Sequence, residues 1–319
     1  MTGDPAYYEG TGSPHMLNDA HCHFFSATFF TALARQRSGA TPTADADPLD
    51  TSERLCRELQ WDPPGSAAAL ADRWVAELDA HGVERAALIA SVPGDEESVA
   101  AAVARHPQRF VGFFMLDPGA GAAVDRVTHA LTALRMRGLC LFPAMHQVPL
   151  DDDRTRAVVR LAADTPGTAV FVHCGVLSVG VRRRLGLPSR FNLRLGDPLA
   201  VARLALEFPA VPFVIPHFGA GFFREALMAA DACSNILFDT SSSNSWIRYT
   251  PDLSLESVLR TSLAVLGPER LLFGSDSSFF PRGWQASIFA EQQRVLSALG
   301  TGAGDRELIF GGNFNRLFS

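Results

Sequence analysis

Leu17-Asn18-Asp19-Ala20-His21-Cys22-His23-Phe24-Phe25 is the stretch on which the reading of this chain turns. If residues 17–23 form a strand, side chains alternate faces, so His21 and His23 project to one side and Cys22 to the other. Two imidazoles held in parallel on a rigid strand make half of a transition-metal site. A lone His-x-His is a weak signal, met as readily by two half-buried structural histidines. Three later segments repeat its character, each an apolar run closing on a polar residue of metal-ligand or acid–base type. They are Phe171-Val172-His173, Ile215-Pro216-His217 and Phe273-Gly274-Ser275-Asp276. That repetition points to an enzyme.

Around these segments, short β-type runs alternate with Ala/Leu/Arg-rich helical stretches. Strands are expected at 17–23, 85–91, 110–116, 138–142, 168–173, 211–217, 235–240 and 270–276. Helices are expected near 66–81, 96–106, 120–135, 151–163, 198–208, 221–232, 254–265 and 284–299. This alternation predicts an α/β fold, a parallel (β/α)8 TIM barrel over a single domain, 17–319, behind a flexible arm, 1–16. An open doubly wound sheet is the alternative. It normally uses fewer units and a Gly-rich first turn, and neither Gly-x-Gly-x-x-Gly nor a Walker loop occurs. In a barrel the four strand-end segments converge at the C-terminal mouth, where such folds place catalysis. The first connection, residues 24–65, is out of scale, and loops of that length are usually functional. It contains an expected short helix at 27–37, an acidic turn-rich piece at 41–51 and a Trp61-Asp62-Pro63-Pro64 stop, and is expected to lie over the mouth as a lid or wall.

Composition narrows the class. The chain has 319 residues, 47% hydrophobic and 19% charged, with a formal net charge of −6. No basic stripe suggests nucleic acid, and the negative sign argues against an anionic membrane surface. No run approaches the roughly 20 apolar residues of a membrane span. Met1-Thr2-Gly3-Asp4-Pro5 lacks the basic start and apolar run of a secretory signal. Five scattered cysteines at 22, 56, 140, 174 and 233 read as reduced thiols, giving the expectation of a cytoplasmic protein. All 28 basic residues are arginine. The missing lysine excludes Schiff-base chemistry, a lysine general base and a carbamylated-lysine metal bridge.

At this point a resemblance becomes specific. The chain resembles the amidohydrolase superfamily, in the branch that also contains the aminocarboxymuconate-semialdehyde and resorcylate decarboxylases. The resemblance is carried by His21-x-His23, His173, Pro216-His217-Phe218-Gly219, Phe238-Asp239-Thr240-Ser241, Leu272-Phe273-Gly274-Ser275-Asp276 and Phe310-Gly311-Gly312-Asn313. These run in family order over nearly the whole chain. The resemblance implies one divalent metal ion, zinc before manganese, held by His21, His23, His173 and Asp276. It further implies that Asp276 takes a proton from the activated water and that His217 polarises the substrate or moves a proton. Two-metal relatives bridge their ions through a strand-four lysine. Here Gly138-Leu139-Cys140-Leu141 offers Cys140 instead, which favours a single ion. A homodimer is a further implication of the resemblance.

Other residues compete for the mouth. His146 follows strand four and is expected to touch substrate, against the plainer reading of a loop residue. Among many aromatics, Phe25, Phe142 and Trp284 are expected to wall a pocket for a flat or apolar small molecule, although barrels consume most such residues as core. Arg182, Arg183, Arg184, Arg190 and Arg194 form a basic loop after strand five. Either that loop is simply solvated, or Arg190 or a neighbour, Arg248 or Arg282 clamps a substrate carboxylate. Cys22 and Cys174 adjoin proposed ligands and should point outward as packing residues. Three functions follow in order: hydrolysis of an amide, lactone or ester; non-oxidative decarboxylation of an aromatic or unsaturated acid; and a catalytically silent binding barrel. Resorcylate-type decarboxylases tend to carry Glu-x-His where this chain has His21-x-His23, whereas other decarboxylating relatives share His-x-His.

Overall fold

The computed structural model describes residues 16–38 and 47–319. The expected arm, apart from Met16, and the first part of the acidic piece at 41–51 lie outside the described residues. Eight parallel strands run in sequence order: β1 Asn18–Phe24, β2 Arg85–Ala90, β3 Phe110–Leu116, β4 Gly138–Leu141, β5 Ala169–Val172, β6 Phe213–Ile215, β7 Ile236–Asp239 and β8 Leu271–Leu272. The edge strands then meet. Ala20 N–H donates to Phe273 O at 2.9 Å, Asp276 N–H to His21 O at 2.9 Å and His23 N–H to Ser277 O at 2.7 Å. These bonds close the barrel.

Among the described residues fourteen α-helices accompany the strands: α1 Ala27–Ser38, α2 Pro48–Leu59, α3 Ala67–Ala80, α4 Glu96–Arg105, α5 Ala123–Thr132, α6 Pro143–His146 and α7 Asp153–Ala163. The second half adds α8 Gly180–Arg184, α9 Pro198–Glu207, α10 Phe223–Ala232, α11 Leu255–Leu266, α12 Ala286–Ala298, α13 Ala303–Glu307 and α14 Asn313–Phe318. No helix among the described residues is long and apolar enough to cross a membrane.

Side chains sort by strand alternation into two layers. Ile89, Phe113, Met115, Cys140, Phe171 and Val214 pack inside the barrel, while Cys22, Phe24, Leu88, Phe114, Leu139 and Cys174 pack outward against the helices. Cys22 and Cys174 therefore sit as expected. The strand-one pattern contains one irregularity. Pairing runs Asp19↔Ala86 and resumes at Cys22↔Leu88, so Ala20 and His21 together face Ala87. This bulge lets Ala20 fill the interior while His21 still points into the mouth, a re-aiming that bulges commonly provide. The floor of the barrel is filled by Phe314 and Phe318 of α14, with Phe318 5.2 Å from Phe113. Arg85 holds that helix in place through Asn315 Oδ1 and Phe318 O.

The segment between β1 and α3 builds a wall at the mouth with a small core of its own. Phe29, Phe30 and Leu33 of α1 pack with Leu55, Cys56 and Leu59 of α2, and with Val181, Leu185 and Leu187 from the connection after β5. Sequence reading expects α1 but not α2. Asp47 accepts from Leu49 N–H, and Pro48 occupies the first helical turn, so residues that look turn-forming in fact start a helix. Arg184 Nη2 donates to Leu59 O at 2.6 Å, tying the two insertions together. At the base of the wall, Ser26 Oγ donates to Asp95 Oδ2 at 2.7 Å, while the buried Asp95 Oδ1 has no partner.

Two predictions follow from this packing. A Cβ at Gly138 would lie 2.1 Å from the Phe113 ring, so Gly138→Ala is expected to cost about 1–3 kcal/mol, read as an earlier denaturation midpoint. Burial pushes Asp95 up to about 6, above the ordinary carboxylate value, so its ionisation penalises the folded state. The stability present at low pH is lost as pH rises through roughly 4 to 6. Asp95→Asn is therefore expected to gain on wild type across that window and to keep the gain at higher pH. Parallel stability curves for the two proteins would contradict this.

Candidate metal centre

β1 delivers His21 and His23, and the turn after β8 delivers Asp276. His21 Nε2 and His23 Nε2 are 3.3 Å apart, and Asp276 Oδ1 lies 3.8 Å from the first and 3.1 Å from the second. Ligands bound at 2.0–2.2 Å in tetrahedral or octahedral geometry are separated by about 3.0–3.5 Å. Two of the three separations fall in that range and the third, 3.8 Å, lies just beyond it, so among the described residues these three form a group that could hold a metal ion.

Each imidazole is fixed through its other nitrogen. His21 Nδ1 lies 2.5 Å from Oδ2 of Asp239, whose carboxylate at the end of β7 is fully buried. His23 Nδ1 is 2.7 Å from Ser91 Oγ, and that hydroxyl donates to Ile89 O at 2.9 Å. Anchoring Nδ1 in this way selects the tautomer that leaves Nε2 free to ligate. Burial acts to lower His21, but the charge and hydrogen bond of Asp239 outweigh it and hold the group at about 9, so an ion bound at Nε2 would displace a proton from it. Burial lowers His23, His173 and His217 toward the neutral form that ligates. Against its own burial, Asp276 is held well below the usual carboxylate range, chiefly by His23.

Close packing makes room for this arrangement. A Cβ at Gly274 would come within 2.8 Å of Asp239 Oδ1 and 2.9 Å of both His21 Cβ and Ser241 Cβ. Only glycine lets the chain just after β8 pass behind the pair. Asp19 supports the strand from beneath: buried, it accepts from His21 N–H, Ser275 N–H and Trp284 Nε1. Asp276 itself has φ of 59°, a left-handed conformation held by Gln285 Nε2 and Arg282 Nη2, both donating to its carbonyl.

The expectation for His217 changes in detail. It does not end a strand but opens a left-handed turn in which five successive residues, His217 to Gly221, have φ of 56, 53, 84, 43 and 100°. Such a run is costly for L-residues, and here it is bonded through Ala220 N–H to His217 O and Val176 N–H to Ala220 O, each 2.8 Å. The turn sets the His217 ring 5.0 Å from His21 and 5.3 Å from His173. Ser241 meets His217 Nδ1 twice, with its Oγ at 2.9 Å and its carbonyl at 3.2 Å. One residue therefore offers that nitrogen both a donor and an acceptor.

The remaining expected residues divide. His173 stands beside His217 and stacks on Phe142 at 5.4 Å, outside the span of the three clustered ligands, with a buried Nδ1 that has no hydrogen-bond partner. Phe142 thus contacts His173, and Phe25 lies 5.8 Å from His23. His146 is half-buried, 6.4 Å from Phe142, also with a buried, unpartnered Nδ1. Arg190 is exposed, and only its carbonyl is engaged, by Gln147. The expectation for Trp284 needs correction: it lies in the outer core behind β8, near Phe273 and Phe289, because its indole N–H is drawn to Asp19. Sequence reading missed Ser91 and the anchoring contact of Asp239. The Asp239-Thr240-Ser241 motif carried a signal for the second, whereas nothing local marks Ser91.

A family model described as Amidohydrolase matches residues 18–319. Protein fluG of Emericella nidulans is 27% identical over 143 residues, covering 44% of this chain and 15% of that protein. The chain thus spans a small part of the length of that relative. The structure is similar to 5-carboxyvanillate decarboxylase LigW from Sphingomonas paucimobilis, with TM-score 0.61, 22% identity, and coverage of 95% and 98% of the two chains. It is also similar to an amidohydrolase from Burkholderia multivorans with bound zinc, with TM-score 0.57, 16% identity, and coverage of 95% and 99%.

Removing the carboxylate behind the metal centre provides a test. Asp239→Asn is expected to weaken zinc binding by about 10–100-fold, measured by chelator competition on folded protein. Unchanged affinity would show that the Asp239 contact does not orient His21 for a metal.

Proposed function

The chain belongs to the amidohydrolase family, and we propose that it is a metal-dependent hydrolase acting on an amide, lactone or ester carbonyl of a small molecule. The observation that carries this reading is the triangle of His21 Nε2, His23 Nε2 and Asp276 Oδ1, with separations of 3.1–3.8 Å. These three residues would hold one divalent ion, zinc or manganese, with His173 approaching as a fourth ligand. The buried, unpartnered Nδ1 of His173 and its preference for the neutral form support that role. Such an ion supplies Lewis acidity and brings the pKa of a water to roughly 7.

The protein groups do the rest. Asp276, held ionised, accepts a proton from the attacking water and returns it to the leaving nitrogen or oxygen as the carbonyl–heteroatom bond breaks. When Ser241 Oγ–H donates to His217 Nδ1, the ring presents Nε2–H to the developing oxyanion. The aromatic wall near His23 limits water at the mouth and favours a flat or apolar substrate. Five buried free cysteines suit a reducing compartment, and we assign the protein to the cytoplasm.

Decarboxylation is the second reading, favoured by the structural likeness to LigW. There the same ligands would hold the substrate carboxylate and an adjacent oxygen, and His217 or Asp276 would deliver a proton to the carbon that loses CO2.

Elemental analysis of protein purified without chelators is expected to find about one zinc or manganese per chain, lost in the His21→Ala/His23→Ala double variant. Asp276→Asn is expected to lower turnover at least about 10²-fold. Lactone, ester and amide panels run beside carboxylated aromatics decide between the readings. CO2 release without hydrolysis would establish the second, and a wild type that takes up no metal would sink both.

A further inference from the structure

Arg282 lies in the loop that follows Asp276. Its Nη2 donates to Asp276 O at 3.2 Å and to Ser278 Oγ at 2.6 Å, which fixes the guanidinium beside a residue of the metal centre. Its Cζ sits 4.6 Å from the centroid of the Phe279 ring. Phe279 stacks on Trp61 at 3.8 Å and 10°, and Arg184 covers Trp61 at 5.5 Å. Arg184, Trp61, Phe279 and Arg282 are thus linked by successive cation–ring and ring–ring contacts that join the wall to the mouth. The two cations differ in what they do. Arg184 spends a donor on Leu59 O and so holds the wall. Arg282 is exposed, makes no carboxylate ion pair among the described residues, and leaves Nε and Nη1 without hydrogen bonds.

A guanidinium immobilised before binding loses little further freedom when it meets an oxyanion. Its two contacts and the ring beneath it supply that immobilisation. We propose that Arg282 is a specificity-determining residue, binding an anionic group of the substrate, such as a carboxylate, remote from the bond that reacts. The flat faces of Phe279 and Trp61 make the natural neighbour for such a group a planar ring or conjugated chain. The inference rests on the metal-dependent reading above and deepens it by naming the charge of the substrate.

The test uses isophthalate and its neutral-ended isostere, 3-carbamoylbenzoate, titrated calorimetrically into zinc-loaded protein. Both can present one carboxylate to the metal, and only isophthalate offers a second anion. Wild type is expected to favour isophthalate by about tenfold or more, and Arg282→Gln to bind the two alike. Arg282→Lys, which keeps the charge, is expected to retain part of the preference and guards against a folding defect in the glutamine variant. Equal binding of the two compounds by wild type, binding of neither, or a preference that survives in Arg282→Gln would overturn the assignment. Metal content measured on the same samples separates the two readings. If metal is absent from wild type the metal centre fails, whereas loaded protein without charge preference refutes Arg282 alone.

Discussion

The contact between His21 and Asp239 is the constraint around which the rest of the barrel is arranged. A fully buried carboxylate must be paired, because leaving it alone in a protein interior costs several kcal/mol. Asp239 finds His21 Nδ1 at 2.5 Å, two strands away across β8. That approach requires the chain leaving β8 to carry no side chain between them, which Gly274 satisfies. It requires β1 to gain a residue so that His21 faces inward, which the bulge at Ala20–His21 provides. The other oxygen of Asp239 accepts from Ser241 N–H at 2.7 Å, and Ser241 in turn reaches His217. One buried charge therefore organises β1, β7, β8 and the turn after β6.

The barrel was legible because its signals are local and repeated. Apolar runs of strand length alternate with helical segments, and polar residues follow the same ends each time. What escaped is what a linear pattern does not encode. α2 begins with Asp47-Pro48-Leu49-Asp50, a composition shared by turns and helix starts, and only packing of Leu55 and Leu59 against α1 and α8 decides between them. His217 looked like a strand end, yet the chain twists left-handed there, a conformation that neither His217 nor Phe218 advertises.

Of the four residues expected to converge as ligands, three cluster and His173 stands apart. His21, His23 and Asp276 are named by spacing and chemistry and do converge. Trp284 was misjudged because position after a strand says nothing about which side of the chain a side chain takes. A buried acceptor, Asp19, pulled it outward. Ser91 became a partner of His23 through strand register alone, since β2 lies alongside β1. The Phe310-Gly311-Gly312-Asn313 motif illustrates the converse. It is a strong family signal far from the chemistry, where Asn313 donates to Pro268 O and Leu271 O and a Cβ at Gly311 would strike Met16.

The floor formed by Phe314 and Phe318 bears on how the chain reaches this structure during synthesis. Asn18 Nδ2 donates to Gly311 O across 293 residues, and β1 cannot complete its pairing until β8 exists. Each βα unit can form its local contacts as it emerges, but the interior stays open at one edge and at its base until α14 has been made. Until then the nascent barrel leaves Phe113 and Phe171 uncovered from their own synthesis onward, and such surfaces engage chaperones or aggregate. Sealing therefore waits on α14, and His21 and His23 on β1 wait on the turn after β8 before they meet Asp276 across the mouth.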